Sequence, residues 1–198
     1  MADATRIRVL VADDHDLLRE EVVEDLDGEG LEVVAAAADG VEAVEAALRE
    51  RPDVCLLDVQ MPRRDGIAAA AAIAAALPET KIVMLTSSRD HEDALAAARA
   101  GAVGYVLKDA SSGVLADVVR DVVDGGLRFP RSQAALLAAD LRRHPGSEEQ
   151  PGLRDNVLRL IEDGVPAQEM ARKLALSPAV VQRQLHALAG EIRALPAR

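Results

Sequence analysis

Asp13, Asp14, Asp58, Thr86 and Lys108 stand out chemically, because each comes at the end of a short apolar run. The runs are Ile7-Arg8-Val9-Leu10-Val11-Ala12 before Asp13-Asp14, Val54-Cys55-Leu56-Leu57 before Asp58, Lys81-Ile82-Val83-Met84-Leu85 before Thr86, and Gly104-Tyr105-Val106-Leu107 before Lys108. Short continuous apolar runs read as strands buried on both faces of a parallel sheet. Open α/β sheets bind ligands beyond the carboxyl ends of their strands. One aspartate at such a place reads most simply as a turn residue. Three carboxylates, a hydroxyl and an ammonium at four strand ends are not four unrelated turns.

Carboxylates gathered at one point repel one another. Oxygen ligands of this kind suit a hard cation such as Mg²⁺, which takes one or two carboxylates, several waters and phosphate oxygens. With the cation in place, the Asp58 carboxylate can act as a nucleophile toward a phosphoryl donor and become an acyl phosphate. The cation and the Lys108 ammonium would hold the transferring oxygens, and Thr86 would hydrogen-bond the phosphate. Alone, Lys108 reads as a solvated lysine; in this constellation, phosphate binding is the better reading.

The elements that must position these residues follow from periodicity. Leu18, Val22 and Leu26 recur at helical spacing before Gly28 and Gly30, and Leu31 to Ala37 is a further strand. Asp39-Gly40 opens a helix with Val41, Val44 and Leu48 on one face, closed by Pro52. Asp65-Gly66 opens an alanine-rich helix to Leu77, stopped by Pro78. A further helix runs from Asp90 to Ala100, with Gly101 as its C-terminal cap. Ser111-Ser112 caps a helix with a stripe of Val114, Leu115, Val118, Val119, Val122 and Val123. Strand and helix alternate to Asp124, the pattern of a doubly wound, flavodoxin-like, five-stranded parallel sheet in an α/β domain. Residues 1–124 are expected to form this domain. Residues 125–150 form a connector with one helix, Ser132 to Arg142, and a loop from His144 to Gly152.

Residues 151–198 change period. Leu153, Val157, Leu160 and Ile161 mark one helix; Ala167, Met170, Ala171 and Leu174 mark a second. After a tight turn at Leu174-Ala175-Leu176, Ser177 is an N-cap and Pro178 fits the first helical position. Val181, Leu185, Leu188 and Ile192 line the third helix. Two helices joined by a short turn, the second well capped, form the helix-turn-helix pattern; periodicity alone also permits a plain three-helix bundle.

Composition narrows the class. The net charge is −11, with Tyr105 and Phe129 the only aromatics and Cys55 the only cysteine. One cysteine in an apolar run is core and suits a reducing compartment. The residues from Ser147 onward carry equal numbers of acidic and basic side chains, so the excess acid lies in the first part. An acidic body does not by itself seek nucleic acid. No run approaches the ~18 apolar residues of a membrane span, and the start lacks a signal-peptide core. A cytoplasmic protein without membrane contact is expected.

Ala12-Asp13-Asp14-His15, Leu57-Asp58-Val59-Gln60-Met61-Pro62, Leu85-Thr86 and Gly104-Tyr105-Val106-Leu107-Lys108-Asp109 resemble a response-regulator receiver domain. Asp109 departs from it, standing where many receivers have proline. The resemblance implies that Asp58 is the phosphoacceptor of a histidine kinase. It implies Mg²⁺ held by Asp14, Asp58 and the backbone carbonyl of Gln60, with Asp13 aiding. It implies that Thr86 and Tyr105 are a switch pair, and that the protein is a regulator and not a dedicated enzyme. The stretch from Leu158 to Leu185 is similar to the LuxR-type effector of the NarL/FixJ group, which implies DNA binding through Val180, Gln182, Arg183 and Gln184 and control of transcription.

The departures from that group are specific. Its L-T-x-R-E opening reads Gln150-Pro151-Gly152-Leu153-Arg154, its T-V-K-x-H reads Val180-Val181-Gln182-Arg183-Gln184, and a further lysine is Glu191. Almost nothing follows Ile192 to make a fourth helix, so a homodimer is expected to use the receiver domain. Fewer phosphate-contacting lysines imply weaker DNA binding. The alternative is a module that binds a protein partner and not DNA. A haloacid-dehalogenase-like phosphatase needs a carboxylate two residues after the nucleophile, and Gln60 occupies that place.

Overall fold

A computed structural model describes residues 6–87, 91–144 and 151–195. Five strands, β1 (Arg8–Ala12), β2 (Glu32–Ala37), β3 (Val54–Asp58), β4 (Lys81–Thr86) and β5 (Gly104–Leu107), form one parallel sheet in the order β2-β1-β3-β4-β5. The four apolar runs thus become neighbouring strands. β3 is buried along its whole length, as its unbroken apolar character requires. The helices between strands are α1 (Asp16–Gly28), α2 (Gly40–Glu50), α3 (Gly66–Ala76) and α4 (His91–Arg99), and α5 (Ser112–Val123) follows β5. Contacts of α1 with α5, and of α3 with both α2 and α4, divide them between the two faces of the sheet. The start of the expected Asp90–Ala100 helix lies outside the described residues.

Local chemistry explains the helix starts. The Asp39 carboxylate accepts the backbone N–H groups of Val41 and Glu42, and Asp65 accepts that of Ala68, both N-caps. Arg63 pairs with Asp39 and joins the two turns. Ser111 and Ser177 stand at N-cap positions in extended conformation, but neither hydroxyl makes a capping bond.

The expected apolar face of α2 is corrected at Leu48, while Val44 packs against the core. Leu48 is 47% exposed, and the buried residues are Gly40, Ala43, Ala46 and Ala47. The small side chains turn inward because α2 lies close against both α3 and the sheet. In α5, likewise, Leu115, Val118, Val119 and Val122 are buried while Val114 and Val123 face outward.

Beyond the sheet come α6 (Arg131–Arg143), α7 (Pro151–Glu162), α8 (Ala167–Leu174) and α9 (Pro178–Ala194). Pro151 and Gly152, expected in a loop, open α7 instead; proline is tolerated in a first turn because its missing N–H would be unsatisfied there anyway. Ala175 takes the left-handed conformation between α8 and α9. Val157, Met170, Val181, Leu185 and Leu188 are fully buried, so α7 to α9 share a core. The connector helix α6 packs on α7 and also touches α4 and α9.

Candidate functional site

The site is assembled at the ends of β1, β3, β4 and β5. Asp13 follows β1 and is 1% exposed; Asp58 closes β3 and is 5% exposed. The Lys108 Nζ lies 2.7 Å from Asp13 Oδ2 and 3.1 Å from Asp58 Oδ2, so one ammonium serves two buried carboxylates. The Lys108 backbone N–H donates to the Thr86 carbonyl, which fixes the loop after β5 against the end of β4. A cavity of ≈ 330 Å³ opens beside these groups, lined by Asp14, His15, Asp58, Gln60, Thr86, Ser87 and Lys108.

Asp58 is placed by its neighbour Gly66 as much as by its own strand. The Gly66 N–H donates to the Val59 carbonyl, and a Cβ at Gly66 would sit 1.8 Å from the Asp58 carbonyl oxygen. Only glycine permits that approach, a requirement the Asp-Gly pair shows in sequence merely as a helix start.

The electrostatics follow from burial. Burial pushes the Asp58 carboxyl above the ordinary carboxylate range; the Lys108 ammonium opposes this, Asp13 reinforces it, and the Gln60 backbone N–H opposes it. For Lys108, burial works against the charge, but its bonds to Asp13 and Asp58 outweigh that and hold the ammonium above its usual value. Both groups are therefore held in a charge balance that an added anion would change.

Asp13, Asp14 and His15 bring potential ligand atoms within 4.8 Å of one another. The His15 Nδ1 is 3.0 Å from Asp14 Oδ1, and its backbone N–H donates to Asp13 Oδ1. His15 follows directly on the acidic pair, yet no role for it is read from the sequence. Asp14 and Asp58 line the same cavity with Asp13 beside it, an oxygen-rich set that fits a hard cation.

Thr86 and Tyr105 are each 2% exposed. Tyr105 pairs with Met84, two residues before Thr86, so both side chains point to the same face of the sheet. Of this expected switch pair, Tyr105 lies in its inward position in this structure.

The expected DNA-reading residues lie on α9. Arg183 is exposed, while Val180 and Gln184 are half-buried. The Gln182 amide donates to the Asp124 carbonyl at 2.7 Å, at the end of α5. Asp121, on α5, accepts the Ala167 N–H at the start of α8 in a buried bond of 2.9 Å, and Gln168 donates to the Asp124 carboxylate. The sheet domain thus holds the paired helices α8 and α9. Sequence reading assigned no role to Asp121 or Asp124, whose neighbours in the chain give no sign of these partners.

Comparison with known proteins agrees with this geometry. The response regulator receiver domain family matches residues 9–120. The transcriptional regulatory protein YxjL of Bacillus subtilis (strain 168) is 36% identical over 91% of this chain and 87% of its own. The signal receiver domain of the response regulator NarL from Mycobacterium tuberculosis is 38% identical, with a TM-score of 0.58 over 61% of this chain and 98% of its own. The response regulator ChrA, of a heme-sensing two-component system, is 32% identical with a TM-score of 0.56 and covers 94% of this chain and 90% of its own. A strand-end aspartate pair, a buried aspartate sharing a lysine with it, and a helix-turn-helix after the sheet together agree with these matches: the chain belongs to the response regulators, in the NarL/LuxR branch.

Proposed function

We propose that Asp58 accepts a phosphoryl group from a histidine kinase, and that this controls transcription through DNA binding by α8 and α9. The observation that carries the reading is Lys108, held between Asp13 and Asp58 at the edge of a cavity that Thr86 also lines. An Asp58 carboxylate oxygen attacks phosphorus as the bond to the kinase imidazole nitrogen breaks; the electron pair returns to that ring, and Asp58 becomes an acyl phosphate. Asp14, Asp58 and the Gln60 carbonyl, with Asp13 beside them, would hold Mg²⁺, which would supply positive charge to the phosphoryl oxygens. Lys108 turns from carboxylate to phosphoryl oxygen, and the Thr86 hydroxyl donates to another.

The phosphate biases the Thr86–Tyr105 pair and the adjoining α4, which touches α6 and α9. DNA then meets Val180, Gln182, Arg183 and Gln184 once Gln182 leaves Asp124. Dimers, where they form, use the receiver domain. No described helix is long and apolar enough to cross a membrane, and the protein works in the cytoplasm.

The test is labelling with a small phosphodonor and Mg²⁺, followed by a gel shift on a pooled library of fragments of the source genome. One acid-stable, base-labile phosphate is expected, absent in Asp58→Asn, with the DNA shift strengthened by phosphorylation. Undiminished labelling of Asp58→Asn refutes the phosphoacceptor; no shift in either state refutes DNA control.

A further inference from the structure

Arg154 lies in α7 with its side chain only 4% exposed. Its Nη2 donates to the Leu141 carbonyl at 2.9 Å and to Glu191 Oε2 at 2.7 Å. Leu141 is in the last turn of α6, where carbonyls have no partner within the helix; Glu191 is in the last turn of α9. One guanidinium therefore ties together the connector helix, α7 and the recognition helix. Leu137, Ala138 and Leu141 of α6 are buried alongside.

Position 154 is where the group's L-T-x-R-E opening has glutamate, and position 191 is where it has lysine. This chain carries Arg154 and Glu191, and the structure pairs them. Two departures that stand far apart in the sequence are one ion pair in the structure. We propose that Arg154 is a positioning residue that joins α9 to α6, so that this pair strengthens the path by which a displacement of α6 by α4 reaches the recognition helix, beside the direct contacts of α9 with α4 and α6. The proposal deepens the DNA-binding reading, and its first test needs no DNA.

Hydrogen exchange on the full chain decides it. Arg154→Leu and Glu191→Gln should each speed exchange in the second half of α9 at least about tenfold, because each breaks the pair between the buried Arg154 guanidinium and the partly buried Glu191 carboxylate. The double exchange of Arg154→Glu with Glu191→Lys should return α9 to within about threefold of the wild type. It should speed exchange in the last turn of α6 relative to the wild type, because a carboxylate cannot donate to the Leu141 carbonyl and so no longer caps that helix end. Arg154→Lys should keep most of the protection in α9. A charge-swapped chain no better protected in α9 than the two single variants combined would overturn the proposal. The coupling itself is read from the ratio of DNA affinities with and without phosphate, which Arg154→Leu should reduce at least about threefold and Arg154→Lys should retain. A wild type that binds no DNA refutes the DNA-binding reading, while the exchange result still decides the role of Arg154.

Discussion

Asp58→Asn should make the resting protein more stable. The Asp58 carboxylate lies 3.1 Å from the Lys108 ammonium, an attraction of about 5 kcal/mol at an effective dielectric of about 20. Taking a carboxylate out of water costs several kcal/mol, of the same size, and Lys108 is already engaged by Asp13 at 2.7 Å. The raised Asp58 pKa says that the balance falls against the charge. A group whose folded pKa is raised holds its proton where the unfolded chain has lost it, so stability falls as pH rises through that window. The penalty is fully present above the folded pKa. Asparagine carries no such penalty, so Asp58→Asn should gain about 1–2 kcal/mol near pH 7, or roughly 2–8 °C in Tm. The gain should shrink as pH falls toward the ordinary carboxylate range. Tyr105 is the only tyrosine, and the chain has no tryptophan, so its fluorescence reports receiver unfolding directly. Urea titrations of both proteins across that pH range give the result. An Asp58→Asn protein less stable at neutral pH, or a difference independent of pH, would refute the electrostatic account.

Gly66→Ala should destabilise the receiver by about 1–3 kcal/mol and cut phosphodonor labelling, because the new Cβ would meet the Asp58 carbonyl at 1.8 Å; melting and labelling of one preparation check both. Burial pushes the Cys55 thiol up to about 12, so alkylation of the native protein near pH 8 should be slow and should become fast on unfolding. Asp121→Ala removes the carboxylate that receives the Ala167 N–H, a loss of about 1 kcal/mol by analogy with an N-cap. That should raise the DNA affinity of the unphosphorylated chain about fivefold in a gel shift; unchanged affinity would show that the contact does not hold the module back.

The strands and their terminal groups were readable because an unbroken apolar run has one economical solution, a strand covered on both faces. Val54 to Leu57 states its burial in its own composition, and the position of Asp58 at its end follows. The buried face of α2 was not readable in this way. Alanine is compatible with either face, and the preference for Ala43 and Ala47 over Leu48 arises only once α3 lies alongside. Pro151 and Gly152 have loop composition, yet a first helical turn accepts both. Arg154 and Asp121 look in sequence like ordinary surface charges. Their burial comes from helices distant in the chain, which no local periodicity reports. Glu191 reads as a lost phosphate contact until Arg154 appears beside it.

The two working ends of the receiver lie on opposite edges of its sheet. Asp58 closes β3, whereas α5 runs back along the sheet and delivers Asp121 and Asp124 beyond the edge where the strands begin. Strands of five or six residues span roughly 17–20 Å, about two Debye lengths at physiological salt. Across that distance a phosphate placed on Asp58 would act only weakly on α9 through its field. On the proposed reading the signal travels mainly as a mechanical displacement, for which α4, in contact with both α6 and α9, is the lever. Added salt should then weaken DNA binding in both states while leaving the ratio between them nearly constant.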